Sequence, residues 1–371
     1  MVTRIKNPKT TIILRAALVC GLFACLVGCG DTSSAHKRVL LYAINNTEVT
    51  AFTVDTASGA LSAPKVVAPN RGSVFGMAVH PTARFLYVSD SFRNTIGEFS
   101  INQGNGSLTS LPGSPLSLET SFGVNGLAVD PKGRFLYSAN LGGSVSGLRI
   151  DLNTGLLTEV PGSPFPAELQ TDQVAVDPSG RFVYATNQGD ALGSISGYAI
   201  NPDDGVLTPV AGSPFPTFAG SAPHGIVVDS EGRFLYVGVS GGIAGFSIDS
   251  ATGSLTPVPG SPSPGGAFPM QLALLPSGKF LYAANNLESS VTVFAVDSVT
   301  GSATLTSRVE VGNFAWGLAV DPSGKFLYVG DGDSGCIRGF TIDPVSGTPT
   351  PMSGSPFPGG WGNSLLIVEV R

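Results

Sequence analysis

The chain has 371 residues, of which 49 are glycine, 28 are proline and only 12% are charged. Glycine stands well above its usual share of about 7%, and no window beyond residue 30 keeps a 3.6-residue apolar period, so the predicted elements are strands joined by tight turns. A formal charge of −6 without a basic stripe argues against a nucleic-acid partner.

At the N-terminus, Arg4, Lys6, Lys9 and Arg15 accompany an apolar run, 16–27, too short to span a bilayer comfortably. The run ends in Leu26-Val27-Gly28-Cys29, which resembles the lipobox of bacterial lipoproteins. That resemblance implies a signal peptide over 1–28, a lipid on Cys29 and an address in the bacterial cell envelope. Gly30 after the cysteine favours the outer membrane or the periplasmic face. An ordinary cleaved signal or an uncleaved anchor is the alternative. Residues 29–37 are then the lipidated cysteine and a linker; the stretch 30–37 reaches at most about 28 Å. With the leader removed, sixteen basic residues face 26 acidic ones, a charge of −10. Cys20 and Cys25 leave with it, so Cys336 is the one remaining thiol and no internal disulfide is expected. Its position matches Ser144, Ser194, Gly242 and Ser290 of other repeats, as befits a small packed residue.

From residue 38 onward a single unit recurs. Its tyrosines fall at Tyr42, Tyr87, Tyr137, Tyr184, Tyr236, Tyr282 and Tyr328, spaced by 45 to 52 residues. This period with short apolar strands predicts an all-β, seven-bladed β-propeller over 38–371 with four-stranded blades. Within a unit, an apolar strand leads into a type I turn such as Asp130-Pro131-Lys132-Gly133. A Phe-Leu-Tyr strand follows, apolar on both faces as a sheet covered on both sides requires. After a third strand comes Asp or Asn with Gly four residues later, at Asp55/Gly59, Asn102/Gly106, Asp151/Gly155, Asn201/Gly205, Asp249/Gly253, Asp297/Gly301 and Asp343/Gly347. There the glycine supplies a positive φ and the Asx side chain bonds its own backbone. The first unit lacks an inner strand, whereas 364–370 reads as an inner strand without a unit. Pairing the two termini in one blade closes the ring and removes free edges. A monomer is expected.

Candidate site residues emerge by subtraction, since whatever recurs in every blade is scaffold. Gly-Ser-Pro at Gly113, Gly162, Gly212, Gly260 and Gly354 recurs and reads as a rigid connector. The starts of the inner strands differ: Phe75, Asn125, Asp172 with Gln173, His224, Met270 with Gln271, Trp316 and Asn363. Loops after the second strands add Asp90 with Arg93, Asn140, Asn187 with Asp190, Asn285 with Glu288, and Asp331 with Asp333; Arg71 precedes an inner strand. Such a mouth suits a polyhydroxylated small molecule, with Arg71, Asp90, Arg93, Asn125, Asp172, Gln271 and Asn363 for its polar groups and Trp316 for a sugar face. A wet channel without a ligand is the bland alternative. His224 is the candidate general acid or base, against a role as channel filler. Asp331-Gly332-Asp333-Ser334-Gly335 lacks the spaced Glu of a calcium loop, no His or Cys cluster has metal-ligand spacing, and no cofactor is expected.

The unit Gly-Leu-Ala-Val-Asp-Pro-Ser-Gly-Lys-Phe-Leu-Tyr-Val at 317–329, with Phe-Thr-Ile-Asp-Pro-Val-Ser-Gly at 340–347, resembles the repeat of the seven-bladed lactonase family. That family includes propeller-type 6-phosphogluconolactonases and 3-carboxymuconate lactonising enzymes, and the likeness covers 39–370. Pro223-His224 resembles the step that carries the family's active-site histidine. Members acting on anionic lactones gather arginines near it; here only Arg71 and Arg93 qualify, both from the second blade. The resemblance therefore implies an exported carboxylic ester hydrolase acting on a neutral sugar lactone or related ester. The alternative is a non-catalytic propeller that binds a carbohydrate or a cell-envelope protein.

Overall fold

The Phe-Leu-Tyr runs become strands because both of their faces are covered. Phe85–Asp90, Phe135–Asn140, Phe182–Asn187, Phe234–Val239, Phe280–Asn285 and Phe326–Asp331 are buried at every position. In a computed structural model, which describes residues 37–44, 48–69, 75–119, 122–189, 193–218, 222–360 and 362–370, these are the second strands of six of seven antiparallel sheets, and Arg38–Ile44 takes that place in the seventh. We number the blades 1–7 in the order of their tyrosines. Closure follows the expectation: the C-terminal Ser364–Val370 pairs with Arg38–Ile44, Leu366 opposite Tyr42, as the inner strand of blade 1. The described residues contain no helix.

Every blade has the four expected strands, but the Gly-Ser-Pro segments do more than connect. In five blades the residues after them form a further two-residue strand on the third strand, as where Phe165–Pro166 pairs with Ser144 and Val145. Each motif serine accepts a backbone N–H from that third strand, Gly245 N to Ser261 Oγ at 2.9 Å being one case. The cause is local: an extended Phe-Pro stretch can lie along the edge left free where the short fourth strand ends.

Adjacent blades are locked by two parts of the repeat that the sequence shows separately. The tyrosine hydroxyl of each blade donates to the carbonyl of the Asx-turn glycine in the next: Tyr42 to Gly106, Tyr87 to Gly155, Tyr137 to Gly205, Tyr184 to Gly253, Tyr236 to Gly301 and Tyr282 to Gly347, at 2.8–3.0 Å. Tyr328 closes the circle on Gly59 at 2.6 Å. The same glycines have φ between +71° and +82°. A Cβ at any of them would stand 2.3–2.6 Å from the neighbouring blade's Phe ring, or from Leu40 in blade 1. Burial drives all seven phenols well above their ordinary pKa. They therefore stay protonated as donors. Basic residues add a third contact: Arg84, Arg134, Arg181 and Arg233 lie over the following Phe ring at 5.0–5.2 Å and reach carbonyls of the next blade's turn.

The first turn also has a purpose beyond φ. Asp229 Oδ1 accepts the backbone N–H groups of Arg233 and Phe234 at 2.6 and 2.8 Å, and Asp130, Asp177 and Asp321 do the same. His80 occupies this place in blade 2. Its Nε2 lies 3.0 Å from the Gly133 carbonyl, to which it donates, so Nδ1 accepts from Thr82. Burial holds the imidazole below its ordinary pKa, outweighing the Gly133 bond.

Gly253→Ala is expected to cost about 3 kcal/mol, because strain and a ring clash coincide there. Gly241→Ala, at φ +87° with open space around it, is expected to cost only about 1 kcal/mol; urea unfolding midpoints of the two variants test the difference. For His80, the depressed folded pKa means that the unfolded chain binds the proton first. Its contribution is complete above the unfolded value near 6.5 and is lost as the pH falls through the lower folded value. Replacing His80 by Asn should remove that acid-limb loss from a stability–pH profile; an unchanged profile would contradict the assignment.

Candidate active site

All seven inner strands begin at one end of the channel, and one register position faces into it. Phe75, Asn125, Asp172, His224, Met270, Trp316 and Asn363 each lie three residues before the residue paired with their blade's tyrosine. Together they line a cavity of about 360 Å³. Two features of the chain aim them. In blades 3–7 the residue two positions earlier is left-handed: Gly123, Gln170, Ala222, Phe268 and Phe314. Four of these are not glycine and store roughly 1–3 kcal/mol of strain each, a cost found most often at functional sites. Directly after the ring position, Gly76, Gly126, Gly225 and Gly317 let neighbouring inner strands approach. A Cβ there would meet backbone atoms of the next strand at 2.2–2.9 Å.

The ring divides by chemistry. Blades 3, 4 and 5 carry a connected polar set. Asp172 is buried, and one of its oxygens lies 2.9 Å from His224 Nδ1, while the other accepts from Asn125 Nδ2. A carboxylate facing Nδ1 requires the proton on that nitrogen, which leaves the Nε2 lone pair as the basic site. The Gln188 amide lies 2.7 Å from the same Nδ1. The amide atom placed there is Nε2; an Nδ1 that carries the proton shared with Asp172 cannot accept from an NH2, so the amide turned to present its oxygen is the orientation that suits the contact. Phe268 packs against the imidazole with ring centroids 4.4 Å apart. His224 is thus held from blade 4 by charge and from the blade 5–6 connection by a ring.

The other arc, Met270, Trp316 and Phe75, is apolar, with Asn363 completing the circle. Gln271 Oε1 accepts the Leu318 N–H of blade 7 at 3.0 Å, so its NH2 is the end left to donate. Apart from Asp172 and His224 no ionisable side chain lines this cavity among the described residues.

The structure brings together six of the expected residues: Asn125, Asp172, His224, Gln271, Trp316 and Asn363. Asp90 and Arg93 lie elsewhere, in a cleft of about 500 Å³ with Val49, Val88 and Phe99. Asp90 accepts the N–H groups of Phe92 and Arg93 and pairs with the Arg93 guanidinium at 2.9 Å, so its charge serves its own turn. Asn140, Asn187 and Asn285 are likewise turned inward, each donating to two hydroxyls on the third strand of its blade. Asp331 Oδ2 accepts from Arg338 Nε and Nη2 at 3.0 and 2.9 Å. The reason is common to these positions: the last residue of a second strand faces the first residue of the third and is spent within the hairpin. Arg71 and Cys29 lie outside the described residues. Cys336 has the expected register, opposite Asp331, and is partly buried as a free thiol. Gln188 and Phe268 went unnoticed in the sequence. Gln188 follows a buried strand end and Phe268 precedes the variable position by two, so neither stands where subtraction looks.

A closed seven-bladed β-propeller with one asymmetric mouth defines the class of protein. The sequence matches the family described as lactonase, 7-bladed beta-propeller, over residues 33–167, 160–268 and 261–360, and the chain belongs to that family. Among solved structures it is similar to a periplasmic gluconolactonase of Pseudomonas aeruginosa: 22% identity, TM-score 0.77, covering 90% of this chain and 100% of that one. A putative 6-phosphogluconolactonase of Bacteroides fragilis has 21% identity and TM-score 0.74, with 91% and 100% covered. One from Bacteroides uniformis has 18% and 0.73, with 90% and 99% covered. At these identities the likeness is one of fold. No curated protein matches the sequence.

Proposed function

We propose that this protein is an exported lactonase that hydrolyses an uncharged sugar lactone or a related ester at the channel mouth, with His224 as general base. The observation that carries the reading is the Asp172–His224 contact of 2.9 Å in the wall of the cavity. A buried carboxylate on Nδ1 fixes the tautomer and stabilises the imidazolium that forms when Nε2 takes a proton from water. The water oxygen attacks the lactone carbonyl, and the Gln271 amide is the donor suited to the developing oxyanion. His224 then returns the proton to the ring oxygen as the C–O bond breaks, yielding the hydroxy acid.

The electrostatics favour a neutral substrate. With a carboxylate beside the base and no lysine or arginine in the described lining, a phosphorylated lactone would enter an uncompensated negative site. The apolar arc with Trp316 offers a surface for one face of a sugar ring. Export rests on the leader 1–28 and on Cys29, which we assign as the lipidated residue of an envelope-anchored monomer. The Pseudomonas aeruginosa relative, itself named periplasmic, agrees with that address.

Hydrolysis of a panel of neutral and phosphorylated lactones tests the chemistry. Neutral substrates should turn over, with His224→Ala losing about 10²–10⁴-fold in kcat at unchanged unfolding midpoint. No turnover above the spontaneous rate would leave a propeller that only binds a carbohydrate or an envelope protein. Separately, Cys29→Ser should abolish labelling by a radioactive fatty acid and release the protein from the membrane fraction; retention of the label would refute the lipid anchor.

A further inference from the structure

Two acceptors in the polar arc have no protein partner: Asn125 Oδ1 and His224 Nε2 are both buried without a hydrogen bond. They belong to residues that are 5% and 8% exposed, and both flank Asp172. Because Asp172 is an acceptor, it requires the NH2 end of Asn125 and the N–H of His224. Each partner is thereby compelled to present its own acceptor on the side away from the carboxylate. A buried polar atom without a partner is costly and is ordinarily satisfied by an enclosed water. Water is the smallest molecule with two donor hydrogens, one for each orphan.

We infer that Asn125 and His224 together hold the hydrolytic water, with Asn125 a catalytic residue that fixes the water's second hydrogen and Asp172 the positioning residue that orients both. This rests on the lactonase reading above. In the step, one O–H hydrogen goes to His224 Nε2 as the water oxygen bonds to the carbonyl carbon. The other O–H stays intact, directed at Asn125 Oδ1, so the remaining lone pair points at the substrate. The carbonyl π pair moves to oxygen, then returns as the ring C–O bond breaks and His224 protonates the leaving alkoxide. Attack is therefore selective for a nucleophile with two hydrogens. Methanol, with one, can satisfy His224 but leaves Asn125 Oδ1 unpaired.

The test is partitioning between hydrolysis and methanolysis of a neutral lactone in aqueous methanol, read as hydroxy acid against its methyl ester. The native protein is expected to favour water strongly. Asn125→Ala should lower kcat about 10–100-fold with KM little changed and raise the ester-to-acid ratio about tenfold, the size of one lost hydrogen bond. Asn125→Ser, with a shorter acceptor, should fall between. A fall in rate with an unchanged ratio would overturn the proposal and reduce Asn125 to a support for Asp172. An unchanged rate and ratio would overturn it as well. Should the native protein hydrolyse no lactone, the lactonase reading fails by itself, and the two-acceptor site is read without substrate from histidine ¹⁵N shifts. His224 should then be the Nδ1–H tautomer with Nε2 accepting a hydrogen bond that Asn125→Ala weakens; an Nε2 indifferent to that substitution would refute the shared water.

Discussion

The contact on which the rest depends is the hydrogen bond from each blade's tyrosine to the Asx-turn glycine of the next. Seven such bonds run around the ring, the last from Tyr328 to Gly59. Each alone contributes about 1 kcal/mol, but together with the Phe ring seated on the same glycine, or Leu40 on Gly106, they fix the angle between neighbouring sheets. The ring can close only if every angle is right. A propeller stacks its sheets as a solenoid stacks repeats, yet here the first and last sheets must also meet. The pairing of Ser364–Val370 with Arg38–Ile44 inside blade 1 makes that closure part of a sheet rather than a contact between sheets.

A rigid ring leaves the inner-strand starts free to vary. Their side chains face the channel, so a change there leaves the tyrosine–glycine locks between blades untouched. The strain stored at Gln170, Ala222, Phe268 and Phe314 is bearable because the sheets beneath them are fixed by the tyrosine contacts. The working groups then come from successive repeats. Asp172 and His224 are 52 residues apart in the chain, one repeat, and meet only because adjacent inner strands run side by side. Asn125, one repeat earlier, meets the same carboxylate. The polar arc thus spans three blades and could not form within any one of them.

Much of the mouth was legible in the sequence. Subtracting the repeat picked out Asn125, Asp172, His224, Gln271, Trp316 and Asn363, since a position without a common residue across the blades is not scaffold. The same subtraction also selected Asp90 and Arg93, which pair with each other beside a different cleft. Variation shows that a residue is not shared; it does not show which way the residue faces. At the end of a second strand the side chain turns into its own hairpin, as the hydrogen bonds of Asn140 to Ser144 and Ser146 make plain. Gln188 and Phe268 were missed for the converse reason. Neither occupies a ring position, and each reaches His224 by tertiary proximity alone.

By itself the sequence determined the blade count, the turn chemistry, the closure by the two termini and the set of residues at the inner-strand starts. All of these are local or periodic properties, written in the spacing of tyrosines, glycines and apolar runs. Only the tertiary structure decided that tyrosine and glycine are two halves of one lock, and that Asp172 stands between Asn125 and His224. Those are contacts between residues about one repeat or more apart along the chain. Their existence depends on the angle between sheets, which no single repeat contains.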